Sequence, residues 1–264
     1  MALYIHESGT ANAPSIVFLH GGGMSGWMWD KILRLMQDYH CIVPDLPDHG
    51  RSRSEGPFYH ERAAALISEV IKARAHGGKA HVVGISLGAQ VLLELLARSP
   101  EVVDHAVVNS PELRPVPGSG LMLHPLLFDP TIKLTVPLAR NRSFARAQAK
   151  SYHLPEDMFE TYFEDTRQTR GEVLARILRA NMTYKLPAAL KDIHVPVLAL
   201  AGEKEYGMMK ASARDIAATM PIATAYVVKG VGHTFSFEKP ELYADLVRNW
   251  INDRPLPEKV LVRL

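Results

Sequence analysis

Short apolar runs alternate along the chain with longer segments whose apolar residues recur every three or four positions. Ser15-Ile16-Val17-Phe18-Leu19, Cys41-Ile42-Val43, Ala80-His81-Val82-Val83, Val102 to Val108, Val195 to Leu200 and Ala223 to Val228 are rich in β-branched and aliphatic residues and have strand length. Leu3 to Glu7 predicts a further short strand at the start. Between these runs the spacing changes to that of helices. Trp27, Ile32, Leu35 and Met36 mark one apolar face; Ala63, Leu66, Ile67, Val70 and Ile71 mark another, ended by Gly77-Gly78. Residues 89–97, 209–220 and 240–251 predict three more helices. Strand and helix in regular alternation predict an α/β fold, with a mostly parallel sheet covered on both faces by helices.

The alternation stops after Asn109-Ser110-Pro111. Pro111, Pro115, Pro117, Gly118 and Gly120 predict a stiff, irregular exit, and Pro125, Pro130 and Pro137 punctuate the apolar stretch from Leu121 to Leu138. Helices are expected to resume beyond it. Pro155 stands at the start of one, with Met158, Phe159, Tyr162 and Phe163 on its apolar side, and Leu174, Ile177 and Leu178 suggest another. The expected organisation is therefore a core formed by residues 1–110 and 191–264, with residues 111–190 as a mostly helical insertion. Residues 253–264 predict no element.

Composition narrows the partners. The 30 basic and 28 acidic residues are interspersed and the net charge is +2, so no single-sign field is set up for nucleic acid or a membrane surface. There is no run of about 18 apolar residues and no leader-like start, so a cytoplasmic protein without a membrane span is expected. The single cysteine, Cys41, sits in a strand-like run and reads as a small core residue. No metal or cofactor is implied, and a monomer or homodimer is expected.

Candidate chemistry centres on Gly84-Ile85-Ser86-Leu87-Gly88, which joins a strand-like run to a helix-like one. G-x-S-x-G at such a junction makes a turn too tight for side chains at its flanks and lifts the serine hydroxyl clear of the backbone. Ser86 is the candidate nucleophile. His20-Gly21-Gly22-Gly23 follows another strand, where glycines leave main-chain N–H groups unobstructed; the Gly22 and Leu87 amides are the candidate oxyanion donors. His233, in Gly230-Val231-Gly232-His233 immediately after the last predicted strand, is expected at the same sheet edge and is the candidate base. Its orienting acid is expected on the loop after Val195 to Leu200: Glu205 is the first choice, with Glu203 and Glu112 as rivals. Met24, Trp27, Met122, Phe128, Phe159, Phe163 and Met182 are the candidate apolar walls of a substrate pocket, each with packing as the plainer alternative. Arg140, Arg142 and Arg146 could meet an anion or form a solvated face.

Taken together, Phe18 to Gly23, Val43 to Ser52, Val83 to Gly88 and Gly230 to His233 resemble the α/β-hydrolase superfamily, in its compact esterase-like branch with a helical cap. The resemblance implies about seven strands, residues 111–190 as the cap, and the chain order Ser86, Glu205, His233 for nucleophile, acid and base. Where that superfamily usually has Asp at the acid position this chain has Glu. Ser86 argues against the dehalogenases and epoxide hydrolases of this fold, which use Asp, and Thr234 after His233 argues against hydroxynitrile lyases, which have Lys there. The implied function is a serine hydrolase of esters, thioesters or lactones acting on a small acyl substrate. A carbon–carbon bond hydrolase with the same triad is one alternative, and a non-catalytic ligand receptor on the same fold is another.

Overall fold

The structure is a computed structural model that describes residues 2–114 and 123–264. Eight strands, β1 (Ile5–Gly9), β2 (Ser15–Leu19), β3 (His40–Pro44), β4 (Ala80–Ile85), β5 (Val103–Asn109), β6 (Val197–Gly202), β7 (Ala223–Val228) and β8 (Leu261–Arg263), form one sheet in the order β1-β3-β2-β4-β5-β6-β7-β8. Neighbours from β3 to β7 are parallel, and β1 and β8 close the two sides antiparallel.

Every residue of β2, β3 and β6 is buried, which is why these strands read as unbroken apolar runs. Their side chains alternate between two cores. Val17, Leu19, Val82, Val108 and Ala199 face α2 (His60–Arg74), α3 (Leu87–Arg98) and α8 (Gly207–Thr219); Ile16, Phe18, Val83, Val107 and Leu198 face α1 (Asp30–Leu35) and α10 (Pro240–Ile251). A four-residue helix, α9 (Phe235–Glu238), precedes α10.

Two expectations need correction. The sheet has eight strands, because residues in the tail pair with β7. Only Leu261 of that strand is buried, so three residues carry no alternation to read. Pairing there also covers the open hydrogen-bonding edge of β7. The second concerns the stretch around Pro130 and Pro137, which is helical: α4 (Pro125–Ala139) runs through both prolines. A proline frees the carbonyl four residues earlier; here those belong to Leu126 and Lys133, both exposed, so water can take up what the helix leaves unbonded. With α4, helices α5 (Arg142–Ser151), α6 (Phe159–Gln168) and α7 (Gly171–Thr183) lie in the insertion between β5 and β6. No described helix is long and apolar enough to cross a membrane.

Candidate active site

Sheet register sets the site's frame. Leu19 pairs with Gly84, Ile85 with Asn109 and Asn109 with Leu200, so β2, β4, β5 and β6 end together at one edge. Ser86 leaves that edge with φ 53° and ψ −114°, a left-handed backbone that is costly for a residue bearing a Cβ. The sequence makes it possible by omitting two side chains. A Cβ on Gly84 would stand 2.5 Å from the Gly88 oxygen, and one on Gly88 would stand 2.3 Å from the Leu19 oxygen. The Ser86 amide donates to the Asn109 carbonyl at 2.9 Å and its own carbonyl accepts the Gln90 amide at 3.1 Å, so the turn is held from both sides.

The glycine loop packs directly on this turn. A Cβ placed on Gly21 would be 3.9 Å from the Ser86 Cβ, and one on Gly22 would be 3.5 Å from a Leu87 methyl and 3.6 Å from an Ile177 methyl. The Gly21 amide is occupied, donating to the Met28 sulfur at 3.3 Å. Among the described residues neither the Gly22 nor the Leu87 amide has an acceptor.

His20 organises its own loop. Its Nε2 accepts the Leu46 amide at 2.9 Å, which puts the ring proton on Nδ1, and Nδ1 donates to the Gly21 carbonyl at 2.9 Å. The His49 ring meets it edge-on at 4.9 Å. Burial pushes His20 down to about 4 and His49 to about 3 from the usual 6.5. Between about pH 6.5 and 4 the unfolded chain therefore binds protons that the folded protein refuses, so the contribution of these rings is complete above 6.5 and lost as pH falls. Each ring is expected to cost roughly 2 kcal/mol of stability by pH 5. Urea unfolding at pH 7.5 and pH 5 checks this: the midpoint should fall markedly, and an unchanged midpoint would contradict two buried neutral imidazoles.

On the loop after β7, His233 Nδ1 lies 3.4 Å from Glu205 Oε1. The Glu205 side chain is 3% exposed and the His233 side chain 37%, so a buried carboxylate backs a ring that still reaches the surface. Close packing of the two loops depends on Gly202, where a Cβ would stand 2.5 Å from the Gly232 oxygen. Ser110 Oγ donates to Glu205 Oε1 at 2.5 Å, a contact the sequence analysis did not anticipate. Its signal was a serine directly after a core strand at the same edge. Of the two rival acids, Glu203 is exposed and accepts the Gly230 amide at 2.8 Å, which ties down the histidine loop from outside. Glu112 is half-buried and accepts the Asn181 amide at 2.8 Å.

At the opposite end of the sheet a serine, a histidine and a carboxylate meet. Ser15 Oγ lies 3.1 Å from His40 Nδ1, and His40 Nε2 lies 2.8 Å from Glu7. Ser15 is 3% exposed, and its hydroxyl accepts the His76 amide at 3.1 Å. Ser15 sits within strand β2 there, and the three residue types in contact are a structural tie.

The insertion is fastened to this edge at several points. Asp165 accepts Ser25 Oγ at 2.8 Å and Trp27 Nε1 at 2.9 Å, and pairs with Arg53, so one carboxylate gathers the glycine loop, the loop after β3 and α6. Arg176 grips Asp48 at 2.7 Å, and Thr234 Oγ1 donates to the Tyr152 carbonyl at 2.6 Å. The candidate pocket residues divide accordingly. Met24 is buried beside the glycine loop, and Trp27 lies flat against Phe237, its indole bonded to Asp165. Phe159 and Phe163 stack on each other beneath the Arg142 and Arg146 guanidiniums, in a small cluster of the insertion against which Trp27 also packs. Those two arginines are further paired with Glu160 and Glu156. Phe128 and Met182 are half-buried on α4 and α7, while Met122 lies outside the described residues.

The sequence signature of the alpha/beta hydrolase family matches residues 16–246, a span that takes in the glycine loop, the elbow and the histidine loop. The chain belongs to the alpha/beta hydrolase family. It is similar to an AB hydrolase superfamily protein of Gibberella zeae, 28% identical over 96% of this chain and 85% of the relative. It is also similar to the carboxylesterase YbfK of Bacillus subtilis, 27% identical over 90% of this chain and 80% of that one. Among solved structures, the alpha/beta hydrolase enzyme MGS-M2 from a Medee basin deep-sea metagenome library superimposes with a TM-score of 0.76 at 19% identity, covering 97% of this chain and 96% of that chain. That likeness is one of fold. As an alpha/beta hydrolase the protein is an enzyme of the hydrolase type, with its sheet edge arranged as described.

Proposed function

We propose that this alpha/beta hydrolase is a serine hydrolase of carboxylic esters or related acyl compounds, working through Ser86, His233 and Glu205 and an acyl-enzyme intermediate. The observation that carries the reading is the strained Ser86 turn packed against a loop whose Gly22 amide, like that of Leu87, has no acceptor among the described residues. In this mechanism His233 takes the Ser86 proton as the hydroxyl attacks the carbonyl carbon, and the Gly22 and Leu87 amides receive the negative oxygen. His233 then protonates the leaving group. Water, deprotonated by the same ring, releases the acid and restores the serine. Glu205, itself held by Ser110, keeps the His233 proton on Nδ1 and balances the charged ring. The insertion of α4 to α7 acts as a cap over this edge, a role supported by the Ile177 methyl against Gly22 and by the Asp165 bonds. The name carboxylesterase carried by the Bacillus subtilis relative favours an ester bond as the target.

A fluorophosphonate probe tests the reading against a receptor role. As the Ser86 oxygen displaces fluoride from phosphorus, the protein should gain the mass of one probe less HF, mapped to the peptide containing Ser86, and Ser86→Ala should gain none. An unlabelled protein of native unfolding midpoint would sink it.

A further inference from the structure

The segment after β5, which ends at the same sheet edge as β4, carries a second carboxylate for which the proposed mechanism has no use. Glu112 follows the turn Asn109-Ser110-Pro111 at the end of β5, two residues beyond the hydroxyl that holds Glu205. Core and insertion place it together. Gln90, one helical turn beyond Ser86, donates through Nε2 to the Glu112 carbonyl at 2.7 Å and to the Asn181 carbonyl at 2.9 Å, while its Oε1 lies 2.9 Å from His60 Nε2. Asn181 Nδ2 then donates to Glu112 Oε2. Among the described residues that is the only donor to the carboxylate, and no lysine or arginine pairs with it. Burial pushes its pKa up, and the Asn181 bond and the neighbouring His233 ring offset this only in part.

The charge balance of this corner is unequal. The His233 ring lies 3.4 Å from Glu205, Glu112 is held only by the Asn181 amide, and among the described residues Asn181 Oδ1 and Glu205 Oε2 are buried acceptors without donors. A carboxylate already stripped of part of its water loses little more when a cation arrives, and gains more from it than an exposed one would. A second anion brought to the same place meets repulsion instead.

We propose that Glu112, held by Asn181, sets the substrate class of this hydrolase: esters that carry a cationic ammonium group are favoured and esters that carry a free carboxylate are rejected. The inference rests on the Ser86 hydrolase reading. Glu112 on this view is a specificity residue that acts on the substrate's remote charge.

Three nitrophenyl esters of matched acyl length, ending in a methyl, a trimethylammonium or a carboxylate group, test it. For the native protein kcat/KM should rank ammonium, methyl, carboxylate, with about tenfold between the first two. In Glu112→Gln the ammonium-to-methyl ratio should collapse toward one, chiefly through KM. Asn181→Leu, which removes the amide that holds the carboxylate, should move the ratio the same way. An unchanged ratio in Glu112→Gln, or a native preference for the carboxylate ester, overturns the proposal. So does a Glu112→Gln variant as inactive toward the methyl ester as Ser86→Ala, since Glu112 would then belong to the proton-transfer machinery. Turnover of the methyl ester surviving in Ser86→Ala would instead remove the hydrolase reading beneath it.

Discussion

Ser86→Ala is expected to lower kcat for a nitrophenyl ester by about 10⁶-fold, the size of loss seen when the nucleophile of a serine protease is removed. The substitution deletes one oxygen and leaves the turn as it is, because alanine carries the same Cβ at φ 53°. Gly84 and Gly88 still provide the space, and the bond from the residue 86 amide to Asn109 needs no side chain. The unfolding midpoint should therefore stay close to that of the native protein while turnover is lost. Some rate above that of water should persist, since the Gly22 and Leu87 amides are untouched. Native turnover in the variant would mean that the hydroxyl on this strained turn is not the attacking group.

Glu205→Gln should cost about 10⁴-fold in kcat with little change in KM, by analogy with amide substitution of a triad carboxylate. The replacement has the same shape and can still accept the Ser110 hydroxyl at Oε1. What it removes is the negative charge facing His233 Nδ1, and with it the preference for the tautomer whose Nε2 can take a proton. Its side chain is only 3% exposed, so water cannot step in as a substitute counter-charge. Comparison with Glu203→Gln separates charge from position, because Glu203 lies on the same loop but serves the Gly230 amide from the exposed side. Equal losses in both variants would disprove Glu205 as the orienting acid.

Residues whose position is set by backbone geometry were the legible ones. Gly84 and Gly88 announce the elbow because no other residue fits there, and the unbroken apolar strands announce a sheet buried on both faces. Side-chain partners were far less legible. Nothing in the sequence ties Asp165 to Ser25, 140 positions earlier, or Asn181 to Glu112, because such bonds depend on how the insertion lies against the core. The aromatic side of α6 carried the same ambiguity. Phe159 and Phe163 have the spacing of a pocket wall, but the arginines of α5 close over them. In α4, the prolines signalled a break that an exposed helix can tolerate. Three residues of β8 were simply too few to show a period.

The uneven fastening of the insertion has a mechanical consequence. Helices α6 and α7 are bolted to the body of the protein through Asp165 and Arg176; freeing α7 would strand the buried Asp48 carboxylate without its guanidinium, at a cost of several kcal/mol, and freeing α6 would break the Asp165 bonds to Ser25, Trp27 and Arg53. Among the described residues helix α4 has no such bolt: its ion pair, Asp129 with Arg179, joins it to α7, and Val136 is the one buried hydrophobic side chain described on it. Leu126, Leu127, Leu134 and Leu138 already face water. If the insertion acts as the proposed cap and part of it must move to admit a substrate, this helix is the part that costs least to move, and the Asp165 bonds to Ser25 and Trp27 would keep the glycine loop in place.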